Sequence, residues 1–306
     1  MPKLTVLAPA KINLTFDILG LEPDGYHTVE TILQSIDLHD ELEFVVEPTT
    51  ETHIAIASDA ADLPVDESNL IAKAARVFTN KTKHTFDLQA RLVKRIPVGA
   101  GLAGGSADAA ATLVALNEAY NRPLSEGELQ CLGAAVGADV PFCIVGGTQF
   151  GTRHGDFLSP LHSKCEFTFC IVKPVGLSVS TPWAYAEFDK YEGDIHRPAA
   201  QKAIHALAHG DIAAAMDCFG NVFQPMIFHH HPVLAELTLQ MRRHEAWYTQ
   251  LSGSGPALFA ICPDLEHAHF LRRKLLEFSS DLEIHFCSSA RRGAQVMEHV
   301  HGKATG

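Results

Sequence analysis

Residues Ile96–Leu116 read IPVGAGLAGGSADAAATLVAL, with four glycines inside Gly99–Gly105 and a run of small and apolar residues behind them. Glycine at this density marks a backbone that another group approaches closely. Upstream, Phe86–Ile96 alternates, with Phe86, Leu88, Ala90, Leu92 and Ile96 on one face, which predicts a strand. Downstream, Ser106–Tyr120 predicts a helix that ends before Pro123. Strand, glycine loop and helix start in that order present unpaired N–H groups and the positive end of a helix dipole, a setting for an anion.

Several phosphate loops fail to fit. Gly99-Ala-Gly101-Leu-Ala-Gly104 matches G-x-G-x-x-G. A dinucleotide fold, however, needs a second parallel strand after the helix, ending in an acidic residue. Here a second helix follows instead, opened by Ser125 with Glu128 three residues on, a capping-box pattern. Pro97 also separates the strand from the glycines. No Gly-Lys-Ser/Thr follows, which excludes a Walker A loop, and protein-kinase signatures are lacking. Close helix packing is the structural alternative. A phosphate cradle of another type explains the glycine density between strand and helix better.

The chain has 306 residues, which suggests two domains, and its 46% hydrophobic and 20% charged content predicts a packed globular protein. A net charge of −12 without a basic run argues against a nucleic-acid surface but leaves room for a local phosphate site. Seven cysteines without a Cys-x-x-Cys pair predict core thiols in a reducing cytoplasm. The opening MPKLTVLAPAKINLTF is interrupted by Pro9 and Lys11, unlike a signal segment, and no apolar run has the length of a membrane span. His229, His230 and His231 read as a surface turn before Pro232.

Elsewhere, residues 4–19 predict a strand broken near Pro9, Thr28–Leu38 and Asp40–Glu47 two extended segments, and Asn69–Phe78 a helix. Gly137–Pro141 reads as a turn and the glycine-rich stretch after it as a hairpin. From Lys164 the pattern restarts: a strand at Phe167–Lys173, several helices, strands Trp247–Leu251 and Ala257–Cys262 around Ser252-Gly-Ser-Gly-Pro, a helix Leu265–Phe278 and a strand Asp281–Cys287. That order suits an antiparallel sheet with helices on one face.

Pro97-Val98-Gly99-Ala100-Gly101-Leu102-Ala103-Gly104-Gly105-Ser106-Ala107 resembles the nucleotide motif of the GHMP small-molecule kinases. Two further segments agree: Pro9-Ala-Lys11-Ile-Asn13-Leu resembles the first motif of that family and Leu251–Phe259 its third. With Pro23-Asp-Gly-Tyr-His27 and Gly137-Ala-Asp-Val-Pro141, the ordered blocks from residue 8 to about 260 are most similar to the branch that phosphorylates a cytidine diphosphate-linked methylerythritol. A GHMP kinase for another small alcohol, mevalonate- or homoserine-like, is the alternative, and it leaves Tyr26 and His27 without a purpose.

The resemblance implies an α+β, two-domain fold: a ribosomal-S5-domain-2-like domain over residues 1–163, and a ferredoxin-like α/β sandwich over 164–306. It also implies a cytoplasmic enzyme, monomer or homodimer, using ATP, with Mg²⁺ accompanying the nucleotide and held mainly by phosphates and water. No protein ligand of the metal is assigned. The segment Pro97–Ala107 would hold the phosphates, with Asn69 and Lys94 near the adenosine. Asn69 also reads as a helix cap and Lys94 as a solvated strand charge. Asp139 would face the attacking hydroxyl, although an Asp in such a turn often bonds its own backbone. Lys11 would be its partner, keeping the carboxylate ionised so that it orients the hydroxyl while Lys11 neutralises phosphate. Tyr26 and His27 would form a cytosine pocket, Asn13 and Thr181 would complete the substrate side, and Ser252, Gly253, Ser254 and Gly255 would form a supporting glycine loop.

Overall fold

The computed structural model describes residues 2–23, 25–61 and 63–301, so Asp24 of the expected turn dipeptide lies outside the described residues. The first half of the chain carries β1 (Pro2–Leu21), β2 (His27–Pro48), β3 (His53–Ser58), α1 (Leu70–Thr82), β4 (Phe86–Val93), α2 (Gly104–Ala119), α3 (Glu126–Ala134), α4 (Val140–Val145), β5 (Thr148–Thr152) and β6 (Phe157–Pro160). The second carries β7 (Thr168–Pro174), α5 (Thr181–Phe188), α6 (Ala200–His209), α7 (Ile212–Met216), β8 (Gly220–Asn221), α8 (Gln224–His230), α9 (Pro232–Arg243), β9 (Tyr248–Leu251), β10 (Leu258–Cys262), α10 (Leu265–Phe278), β11 (Leu282–Ser288) and β12 (Gln295–His301). The chain has the two-domain α+β fold.

The first sheet runs β12-β1-β2-β4-β3, with β5 and β6 extending from β2, and β8 beside β1. Pro9 does not break β1. It removes one donor, and the ladder with β2 shifts register between Pro9 and Lys11, a bulge that absorbs the proline. The two extended segments expected at 28–38 and 40–47 form one strand. Among the described residues three strands escape the sequence reading, β3, β8 and β12, and β12 returns from the end of the chain to pair with β1. Residues 295–301 therefore share a sheet with the N-terminal half.

The second sheet, β11-β7-β10-β9, is antiparallel throughout. Its central strands are apolar on both faces because both are covered. Cys170 and Val172 of β7 pack in a core with Leu234 and Leu237 of α9 and Leu271 and Leu275 of α10. Phe169 and Ile171 point the other way, into the larger core shared with α6, α7 and the first sheet. The expectation of helices on one face is thus corrected: α6 and α7 help cover the second. His229 and His230 end α8, and only His231 links it to α9, so the expected turn is a helix end. Cys131 is exposed and Cys218 half-buried; the other five thiols are buried, as a core role requires.

Helix α2 is the axis of the N-terminal half. Small residues on nearly every side, Ala107, Ala109, Ala110, Ala111 and Ala115, let it sink fully into the core. It begins at Gly104 rather than Ser106, behind Ala103 in the left-handed region at φ 58°, with no side-chain cap. The first N–H groups of this helix are therefore left to a ligand or water.

Candidate active site

The glycine turn is held open from behind. Gly101 has φ +77°, and a Cβ there would lie 2.2 Å from the Ser252 carbonyl oxygen. Glycine is what lets the two glycine segments touch. Ser252 Oγ donates to the Gly101 carbonyl at 3.1 Å, and the Ala257 N–H donates to the Ala100 carbonyl at 3.1 Å. The Lys11 N–H donates to the Leu102 carbonyl at 3.1 Å, which ties β1 to the same turn.

In front of the turn lies a cleft of about 910 Å³. Its wall includes Pro97–Gly105, Lys11, Asn13, Tyr26, His27, Asn69, Lys94, Asp139, Thr181, Gly253 and Ser254. Ser106, Ala107, Ser252 and Gly255 are not part of that wall. The other sequence-chosen residues, from β1, β2, the cap of α1, the end of β4, the glycine turn, α2, the cap of α4, α5 and the turn after β9, meet on one surface.

At its centre Lys11 Nζ lies 3.8 Å from Asp139 Oδ2 and donates to Asn13 Oδ1 at 2.9 Å. Asn13 Nδ2 in turn donates to Thr31 Oγ1 at 2.8 Å, which fixes the amide orientation. The Lys11 side chain is 6% exposed and Asp139 41%, so the ammonium is fixed in the wall while the carboxylate faces the cleft. The predicted turn at Gly137–Pro141 continues into α4, with Asp139 at its N-cap position and Pro141 in its first turn. Its carboxylate makes no capping bond and stays available.

At one end of the cleft, His27 stacks on Tyr185 with centroids 4.7 Å apart, and its Nε2 meets Asp189 Oδ1 at 2.7 Å. Tyr26 packs against His154 at 5.1 Å. Thr181 Oγ1 and Ser254 Oγ are 3.0 Å apart. Thr181 and Tyr185 lie one turn apart on α5, and Asp189, one turn further, follows its end; all three reach the cleft. The sequence reading missed Tyr185 and Asp189, although their i, i+4, i+8 spacing from Thr181 was visible. Burial, aided by the Asp139 charge, raises the Tyr185 phenol, so it remains protonated.

At the other end Asn69 caps α1, its Oδ1 accepting the Ile71 N–H at 2.9 Å while Nδ2 donates to the Pro64 carbonyl at 2.6 Å. Lys94 is not a solvated charge. Its ammonium, under the glycine turn, donates to Asp40 Oδ2 and to Asp108 Oδ2, the latter at 2.9 Å. Burial alone would lower the Lys94 ammonium, but Asp108 and Asp40 outweigh it and hold it above the ordinary range. Neither aspartate carried a recognisable sequence signal, because each matters only through its distant partner.

A family model described as the GHMP kinases N terminal domain matches residues 69–147, and one described as GHMP kinases C terminal matches 202–281. The 4-diphosphocytidyl-2-C-methyl-D-erythritol kinase of Pelotomaculum thermopropionicum is 41% identical over 87% of this chain and 91% of its own length. The enzyme of the same name from Bacillus mycoides is 38% identical over 85% of this chain and 88% of its own. A crystal structure of 4-(cytidine 5′-diphospho)-2C-methyl-D-erythritol kinase superposes with a TM-score of 0.75 at 29% identity, covering 94% of this chain and 99% of that one. A homoserine kinase from Cytophaga hutchinsonii reaches a TM-score of 0.77 at 18% identity, a likeness of fold. With matches of this extent, the chain belongs to the GHMP kinase family.

Proposed function

We propose that this protein transfers the γ-phosphoryl group of ATP to the 2-hydroxyl of 4-diphosphocytidyl-2-C-methyl-D-erythritol, a step of the non-mevalonate route to isoprenoids. The observation that carries the reading is the single cleft joining three parts: an uncapped helix start behind a glycine turn, a lysine–aspartate pair, and an aromatic end. Phosphoryl transfer asks the protein mainly to position groups and neutralise charge. The N–H groups at the start of α2 serve the triphosphate, and Lys11 adds a fixed cation beside the terminal phosphate. Asp139 accepts the hydroxyl hydrogen bond and aims the oxygen at phosphorus. As the new O–P bond forms and the bond to the β-phosphate oxygen breaks, the hydroxyl proton passes to Asp139, and ADP leaves.

Tyr26, His27 and Tyr185 suit a pyrimidine, which stacks on aromatic faces and hydrogen-bonds at its edge. Lining this end, Phe16, Val29 and Phe223 make it apolar. A mevalonate or homoserine substrate would leave these rings unused. This reading sets Asn69 and Lys94 on the adenosine side, with the amide engaged by Pro64 and Ile71 and the ammonium by Asp40 and Asp108. Among the described residues no cluster of three or more His, Cys, Asp or Glu side chains suits a metal ion. In this reading Mg²⁺ arrives on the nucleotide and keeps phosphate and water ligands. Among the described residues no helix is long and apolar enough to cross a membrane.

The test is ADP release from Mg-ATP with the cytidyl alcohol, mevalonate and homoserine offered separately, with the new phosphomonoester located by ³¹P and ¹³C NMR. Turnover with the cytidyl alcohol and phosphate at its 2-position is expected. Turnover with mevalonate or homoserine alone would replace this reading.

A further inference from the structure

Beneath the glycine turn lies a buried charge cluster that the transfer above does not use. The side chains of Lys94, Asp40 and Asp108 are 7%, 0% and 6% exposed. With both carboxylates ionised, one ammonium faces two anions and one negative charge stays unmatched. Asp40 is satisfied: its Oδ1 accepts the Arg95 and Ile96 N–H groups at 2.6 and 2.8 Å, and its Oδ2 accepts from Lys94. Asp108 is not. Its Oδ2 accepts from Lys94 at 2.9 Å, while its Oδ1 is buried without a partner. Asp108 stands one turn into α2 and forms part of the cleft wall, just behind the uncapped N–H groups. Lys94 and Asp40 are the charges that act on Asp108, and Cys143 of α4 feels the charge of Asp108 together with those of Asp139 and Lys11. A carboxylate one turn below the helix start repels any phosphate that the helix start attracts.

We infer that Asp108 is a proton-linked positioning residue, taking up a proton from solvent as the phosphates of a nucleotide settle on the start of α2. The inference rests on the nucleotide site proposed above. The proton joins Oδ1, the oxygen without a partner, while Oδ2 keeps its bond to Lys94; no other bond forms or breaks. What remains beneath the helix start is the matched Asp40–Lys94 pair, and the unmatched charge is gone. Burial, with Asp40 adding to it and Lys94 opposing, raises the Asp108 carboxyl to about 7. The exchange is therefore poised near neutral pH. The sign follows from linkage: phosphate charge raises this carboxyl further, so the nucleotide-bound protein holds more protons than the free one. Affinity then falls as pH rises above about 7.

Calorimetric titration of ADP into the wild type and Asp108→Asn, at pH 7.5 in two buffers of different ionisation enthalpy, tests this directly. Protons exchanged by ADP itself cancel in the difference between the two proteins. On binding ADP the wild type is expected to take up more protons than Asp108→Asn, by roughly half a proton or more, and its Kd to weaken about tenfold more between pH 6 and pH 8. Equal uptake and parallel pH profiles overturn the inference while leaving the nucleotide site standing. Absence of any ADP binding by the wild type overturns both. Should Asp108→Asn fold poorly, ¹³C NMR of the wild-type carboxyls decides: Asp108 titrates near neutrality and moves up by at least one pH unit with ADP. A midpoint below pH 5, or one that ADP leaves in place, refutes the proposal.

Discussion

The interlock of the two glycine segments makes Gly101→Ala a sharp perturbation. An alanine there must adopt φ +77°, which costs about 1–2 kcal/mol for a residue with a Cβ. Its Cβ would sit 2.2 Å from the Ser252 carbonyl oxygen and 3.0 Å from the Gly255 nitrogen, and both are backbone atoms with no rotamer to escape into. Relief requires the two turns to part by about 1 Å, against an ordinary contact of roughly 3.3 Å. That motion stretches the bonds from Ser252 Oγ to the Gly101 carbonyl and from the Ala257 N–H to the Ala100 carbonyl, both now 3.1 Å. At about 1 kcal/mol for each bond, the total loss is about 3–4 kcal/mol. At roughly 2–4 °C per kcal/mol, Tm falls by about 6–16 °C. The same displacement moves the phosphate-facing N–H groups and is expected to lower kcat/KM for ATP by about 10²-fold. Gly105→Ala is the matched control. Its Cβ would meet only Leu70 Cδ1 at 3.4 Å in ordinary helical backbone, so Tm should hold or rise. Calorimetry and steady-state kinetics on both substituted proteins decide. A Gly101→Ala protein within a degree of the wild type and with an unchanged KM for ATP refutes the interlock.

Other outcomes follow from the same geometry. Asp139→Asn should lower kcat by about 10²-fold or more, while Tm stays within a few degrees because the carboxylate is half-exposed and caps nothing; stopped-assay kinetics and melting curves measure both. Lys94→Met leaves two buried carboxylates uncompensated and should cost about 3–5 kcal/mol in urea unfolding. The Asp108 carboxyl is raised in the folded state, so the native protein holds more protons than the unfolded chain, and its contribution to stability declines from about pH 4 to pH 7. Wild-type stability should therefore fall relative to Asp108→Asn over that range, and denaturation at several pH values would detect the opposite trend. Asp189→Asn should raise KM for the cytidyl alcohol about tenfold by loosening His27, with KM for ATP unchanged; equal effects on both substrates would contradict that division of the cleft.

Local pattern carried much of the fold. Alternation placed β4, the capping box at Ser125 fixed the start of α3, and the strand patterns at 167–173 and 257–262 located β7 and β10, though not that both their faces are covered. The glycine density at 99–105 and the placement of Lys11 in an apolar strand located the site. Features defined only by distant partners were not legible. Strand β12 shows its place only through pairing with β1. Asp40 and Asp108 look like ordinary acidic residues until Lys94 is placed between them, 54 and 14 positions away along the chain. Pro9 misled for a physical reason: a proline that ends an isolated strand is tolerated where a bulge removes the need for its N–H.

The most direct measurement is a crystal structure of the ternary complex with a non-hydrolysable ATP analogue and 4-diphosphocytidyl-2-C-methyl-D-erythritol. The triphosphate is expected on the N–H groups of residues 101–105, with the 2-hydroxyl within about 3 Å of the Asp139 carboxylate and in line with the terminal phosphorus. A triphosphate bound away from the glycine turn, or a hydroxyl remote from both Lys11 and Asp139, would contradict it.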